Sequence, residues 1–304
     1  MLFDDSSWLR ASDWLARGAA QPDVAIIGVP TSVGSISPSE AWRTPGRLRE
    51  VIAGFSPYDG ETGTDLTSLA VADFGDWPVA DIGLDEMVAT VAGHAAELPG
   101  GSRYAFVGGD NAITRPLVAG LAGDHLPEVG VLTFDAHHDV RLLDAGPRNG
   151  TPIRGLIADG LPGAHVHQIG IHSFANSRPY REWCDEQGIA ITTMAEVDAA
   201  GIDDVVSLAL GELAANCEWI HVDFDIDVLD RAFAPGCPGA RPGGMTPRQL
   251  AAAARLCGGH AKVRSADFVE VDPSADRDDL TVMALAGTLL AFLSGAAQLN
   301  ESER

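Results

Sequence analysis

Three potential metal ligands stand at positions i, i+2 and i+4 in the segment Phe134-Asp135-Ala136-His137-His138-Asp139. In extended backbone that spacing places Asp135, His137 and Asp139 on one side of the chain. Two carboxylates and an imidazole suit a divalent ion such as Mn²⁺, which takes hard oxygen donors and tolerates nitrogen. A second acidic set follows in Asp223, Asp225, Asp227 and Asp230, flanked by Phe224, Ile226, Val228 and Leu229. Carboxylates this close, among apolar neighbours, repel one another and lose hydration unless cations neutralise them. The two sets together predict a two-metal centre. Such a pair, about 3.5–4 Å apart, lowers the pKa of a bridging water and polarises a bound C=N or C=O group.

Each set needs a rigid element behind it. Val129 to Phe134 and Trp219 to Phe224 are β-prone apolar runs, which read as buried parallel strands that end where the acids begin. Further strands are expected at Val24–Pro30, Leu69–Phe74, Tyr104–Val107, Val166–Ile171, 189–193 and 263–271. Between them helices are expected near 7–17, from Pro45, at 84–98, 152–160, 178–187 and 203–216, from Pro247 and at 278–294. Strand–helix alternation of this kind predicts a three-layer α/β/α sandwich around one parallel sheet of about eight strands. With no linker-like stretch or repeat, residues 1–304 read as a single α/β domain. The polar clusters at 31–38, 108–111, 135–139, 172–177, 225–230 and 270–272 all follow strands, and at the carboxyl edge of an open sheet they would converge on one crevice.

The bulk composition narrows the partners. The 304 residues are 46% hydrophobic and carry a net charge of −23, from 43 acidic and 20 basic side chains. This balance argues against nucleic acid or an anionic membrane as a partner. Four cysteines without C-x-x-C spacing read as reduced, mostly buried thiols, and so as a cytoplasmic protein. Neither a basic leader nor a run of about 20 apolar residues suited to a bilayer is expected.

Taken together, Gly28-Val29-Pro30, Gly108-Gly109-Asp110-Asn111, Asp135 through Asp139, Asp225 through Asp230, Pro242-Gly243-Gly244 and Glu270-Val271-Asp272-Pro273 resemble the ureohydrolase family of arginases, agmatinases and formimidoylglutamases. The paired aspartate motifs carry that resemblance; the glycine motifs alone are weak. It implies two Mn²⁺ ions and a bridging hydroxide that hydrolyses an amidine or guanidine C–N bond. By the same resemblance, Asp135 and Asp225 bridge the metals, and His137, Asp139 and Asp227 complete the ligand set. Glu270 pairs with the substrate amidinium, and Asp139 also holds the hydroxide. A homo-oligomer, trimer or hexamer, is a further implication.

Two positions depart from the arginase and agmatinase pattern. Asn111 stands where those enzymes have a metal-binding histidine, which implies a poorer donor and a weaker site. Asn149 stands where they have a histidine usually given a proton-shuttling role, and an amide does not titrate. Both asparagines, with Ser35 to Ser39 and Ile169 to Ser177, resemble the formimidoylglutamase branch. Its substrate is N-formimidoyl-L-glutamate, a small amidine with an acidic tail. Arg141, Arg154 and Arg178 are candidates to bind that tail, since guanidinium offers carboxylates a bidentate fork. Asn149, His172 and Asn176 are candidate substrate contacts. The alternatives are an agmatinase or guanidino-acid hydrolase that releases urea, and a metal-poor relative without catalysis.

Overall fold

The computed structural model describes residues 5 and 7–302. Ten strands occur among them: β1 Val24–Val29, β2 Tyr58–Asp59, β3 Thr64–Asp65, β4 Val71–Asp76, β5 Arg103–Gly108, β6 Val129–Phe134, β7 Val166–Ile171, β8 Ala190–Thr193, β9 Trp219–Asp225 and β10 Val263–Val269. Apart from the β2–β3 hairpin they form one eight-stranded sheet in the order β4-β1-β5-β10-β9-β6-β7-β8. Every pair in that sheet is parallel. The chain jumps from β5 to β6 and later fills the gap with β9 and β10. As a result the carboxyl ends of β5, β10, β9 and β6 stand side by side.

Ten α-helices cover the sheet: α1 Ala11–Leu15, α2 Thr44–Val51, α3 Leu84–Ala96, α4 Thr114–Ala122, α5 Pro152–Ala158, α6 Arg178–Gln187, α7 Met194–Ala200, α8 Ile202–Asn216, α9 Pro247–Gly258 and α10 Leu280–Ser302. Strand alternation separates two buried faces. Val24 and Ile26 of β1 join a core that includes Leu210, Leu250 and Leu289 of α8, α9 and α10. Ala25, Ile27 and Val29 face Val91 of α3 and Leu117 of α4. This is the three-layer sandwich expected from the sequence.

Phe134, Phe224 and Phe268 lie in register on β6, β9 and β10. Their rings stack at 5.1 Å in both steps and are fully buried. Asp135 and Asp225 each follow one of these rings directly in the chain, so the aromatic ladder fixes the height at which the acids emerge.

The differences from expectation have local causes. Helix α4 was not anticipated: Arg115-Pro116 reads as a break, yet Pro116 falls in the first turn, where its missing N–H costs nothing. Helix α7 was missed as well, although Thr193 and Glu196 form a capping box. The first helix is confined to α1; Trp14 is buried while Trp8 is 56% exposed. Helix α10 runs on to Ser302 and has a mean hydropathy of 1.9 over its most apolar window, long and apolar enough by composition to cross a bilayer. That corrects the expectation of no such run, but 78% of the window is buried inside the protein. All four cysteines are free and buried.

Candidate metal centre and active-site crevice

The acids meet at the carboxyl ends of the four central strands. Strand β6 ends at Phe134, so Asp135, His137 and Asp139 reach the crevice from a loop rather than by strand alternation. Asp139 takes a left-handed φ of 52°, and the Asp135 N–H donates to Ile169 O at 3.2 Å. Asp225 is the last residue of β9, and Asp227 follows on a 3₁₀ turn held by its own N–H to Asp225 Oδ1 at 2.8 Å. Asp227 Oδ1 accepts the Ala136 N–H at 2.9 Å and Oδ2 meets His137 Nδ1 at 2.7 Å. One donor atom each from Asp135, His137 and Asp227 falls within 4.8 Å of the others. Gly239 permits this packing, because a Cβ there would sit 2.4 Å from Asp227 Oδ2.

Asn111 and Glu270 complete the crevice from β5 and β10. Gly109 lets the end of β5 approach the segment that follows β1, since a Cβ on it would strike Thr31 O at 1.5 Å. Asn111 Nδ2 donates to Asp139 Oδ2 at 2.9 Å and lies 3.4 Å from Asp225 Oδ2. Its Oδ1 instead takes the Thr114 hydroxyl. As placed, Asn111 turns its amide nitrogen toward the acids. Glu270 has a φ of 67°. Its Oε1 accepts the Asn111 N–H at 2.7 Å and Asn149 Nδ2 at 3.0 Å. Glu270 Oε2 has no hydrogen-bond partner among the described residues.

The electrostatics of this cluster demand a cation. Burial, and then the charge of Asp227, pushes the Asp135 carboxyl up to about 7. Burial and neighbouring acids hold Asp139 and Asp225 well above the usual carboxylate range. Burial and Asp110 push Glu270 up to about 8. His137 is the one cation in the cluster: the charge of Asp227 raises it to about 12, and in return it outweighs the burial of Asp227 and draws that acid down to about 2. Ionising the other buried acids beside a single imidazolium would leave negative charge uncompensated, which a bound cation would offset. Oxygen donors with one imidazole at this spacing fit Mn²⁺ chemically.

Around the acids lies a crevice of about 400 Å³, bordered by Ser35, Ile36, Arg141, Asn176, Tyr180 and Arg241 among others. Among the described residues Arg141 lines it with a side chain that has no ionic partner, and Arg241 donates from Nη1 alone, to the carbonyls of Pro238, Gly239 and Ala240. Sequence reasoning missed Arg241; a lone arginine in the Pro/Gly-rich loop after the second acidic set was the available signal.

Several predicted contacts lie elsewhere. Arg154 is committed to Val140 O at 2.6 Å and to the face of Trp183 at 4.0 Å, so it braces the outer layer instead of facing the crevice. Arg178 is exposed and paired with Glu182. His172 is buried behind the acids, with Nε2 on Val228 O at 3.1 Å. Asn176 lines the crevice, but both ends of its amide brace the metal loop, on His138 N and Ala136 O. His138 turns away from the acids, its Nδ1 2.7 Å from Gln168 Oε1. Asp223 packs inward, with Oδ2 3.5 Å from Asn111 Nδ2, and Asp230 caps a turn through Ala232 N and Gly243 N.

The arginase-family profile matches residues 22–294. The chain belongs to the arginase family. It is 38% identical over 275 residues to a formimidoylglutamase of Halalkalibacterium halodurans, covering 89% of this chain and 86% of that one. The solved structure of formimidoylglutamase from Bacillus subtilis superimposes with a TM-score of 0.90 at 32% identity, covering 98% of this chain and 94% of the other. A human mitochondrial guanidino acid hydrolase is 32% identical over 279 residues, 89% of this chain and 77% of its own length.

Proposed function

We propose that the protein hydrolyses N-formimidoyl-L-glutamate to L-glutamate and formamide, with two Mn²⁺ ions held by Asp135, His137, Asp139, Asp225 and Asp227. The observation that carries this reading is the crevice itself, with the buried Glu270 at its base, its Oε2 unpartnered among the described residues, and two arginines at its border. Glu270 Oε2 is free to meet a cationic amidinium, and such a partner would offset the burial that raises this acid. Arg141 and Arg241 offer guanidinium forks to the two carboxylates of the tail. Bound Mn²⁺ would supply an acidified water and polarise the C=N group.

The chain's own groups then do the rest. Asp139 Oδ2 is held by Asn111, which leaves Oδ1 to take the hydrogen of the attacking water and pass it to the departing nitrogen. A C–O bond forms at the formimidoyl carbon, and the C–N bond to the glutamate nitrogen breaks. A guanidino acid is the second reading, because it presents the same cation and a carboxylate and because the human relative carries that name. The test is formamide release in parallel with metal analysis. The reading expects two Mn²⁺ per chain, activity lost in EDTA and restored by Mn²⁺. Full activity in metal-stripped protein would refute it.

A further inference from the structure

Asn149 joins two parts of the crevice that are remote in sequence. Its Nδ2 donates to Glu270 Oε1 at 3.0 Å, while its Oδ1 accepts the backbone N–H of Ile36 at 3.1 Å. Its own N–H donates to Gly34 O at 3.0 Å. The segment Ser35-Ile36-Ser37 forms one wall of the crevice. Below that wall, Gly34 is anchored on Asp110 Oδ2 at 2.9 Å, and above it Glu40 is anchored on Asp272 Oδ2 at 3.0 Å. Among the described residues, the bond from Ile36 to Asn149 is the one hydrogen bond that ties 36–39 to residues outside the local segment 35–41. Ile36 is 49% exposed, so packing of its side chain holds the wall only in part.

We infer that Asn149 is a positioning residue that sets the Ser35–Ser37 wall and the Glu270 carboxylate as one unit, and so fixes where the tail of an amidine must lie once its cation has met Glu270. An amide suits this role because it donates at one end and accepts at the other, and it keeps both at every pH. A carboxylate at 149 would keep the acceptor for Ile36 and lose the donor to Glu270. Alanine would lose both. The inference deepens the amidine-hydrolase reading and rests on it for the substrate, but the coupling of wall to acid can be read without any substrate.

The test compares Asn149→Asp and Asn149→Ala with the wild-type protein, all loaded with Mn²⁺. Hydrogen exchange followed by mass spectrometry reads the Ile36 amide, and steady-state assays with N-formimidoyl-L-glutamate read kcat and KM. The Ile36 amide is expected to exchange about five- to tenfold faster in Asn149→Ala, the loss of one hydrogen bond, and at the wild-type rate in Asn149→Asp. KM is expected to rise about tenfold in Asn149→Ala, with a smaller rise in Asn149→Asp, where the kcat loss dominates. Equal Ile36 exchange in all three proteins, or equal loosening in both variants, would overturn the coupling. So would a KM that rises as much in Asn149→Asp as in Asn149→Ala. A wild-type protein silent on amidines, with Ile36 exchange as expected, would sink the functional reading and leave the coupling standing.

Discussion

Replacing Phe224 with alanine tests whether the aromatic ladder places the metal-binding acids. Phe224 is fully buried and stacks on Phe134 and Phe268 at 5.1 Å each. Removing a buried phenylalanine costs about 3–5 kcal/mol, and the two lost stacks put this site toward the upper end, about 4–5 kcal/mol. Unfolding entropy of about 2.1 cal/mol/K per residue gives about 0.64 kcal/mol/K for a chain of this length, so Tm should fall by about 6–8 °C. Phe292→Ala is the control. That ring is equally buried and packs edge-on against Phe224 at 6.4 Å, but it lies on α10 and precedes no ligand. Both variants should melt earlier by calorimetry in EDTA. Only Phe224→Ala should also bind Mn²⁺ about 10–100-fold more weakly by isothermal titration, the usual scale for disturbed ligand support. Equal Mn²⁺ affinity in both variants would refute the role given to the ladder.

Other predictions follow from the charges. In metal-free protein Asp135, Glu270 and Asp110 have folded-state values raised by burial to about 7, 8 and 6. The folded chain thus holds more protons than the unfolded one between about pH 4 and 8, and its stability must fall as pH rises through that window. Tm in EDTA should drop from pH 5 to 8, and the gain from Mn²⁺ should widen; a gain that narrows with pH would contradict the assignment. Arg141→Ala and Arg241→Ala should each raise KM for a carboxylate-bearing amidine about tenfold with little change in kcat, read by initial rates. Arg154→Ala should leave KM unchanged and lower Tm, because it removes the Trp183 stack and the bond to Val140 O.

The metal loop was legible in the sequence because strand, turn and ligand spacing are local. Apolar runs ending at Phe134 and Phe224 located the acids, and the open-sheet rule located the crevice. Residues whose roles depend on distant partners were not legible. Arg154 looks like a crevice residue until Trp183, on α6, claims its guanidinium. The bond from the Thr114 hydroxyl that orients the Asn111 amide also depends on the fold. Asn149 lines the crevice, but its bonds to Ile36 and Glu270 join segments more than 100 residues apart and have no local signal. Arg241 lies in a Pro/Gly-rich loop without periodicity, so nothing in the pattern says which way it points.

Product identity across four substrates tests the central claim most directly. Mn²⁺-loaded protein would be given N-formimidoyl-L-glutamate, agmatine, arginine and 4-guanidinobutyrate in parallel, with formamide, glutamate and urea quantified. The account predicts formamide and glutamate in equal amounts from the first substrate and no urea from the other three. Urea from a guanidine, with no turnover of the formimidoyl compound, would contradict it.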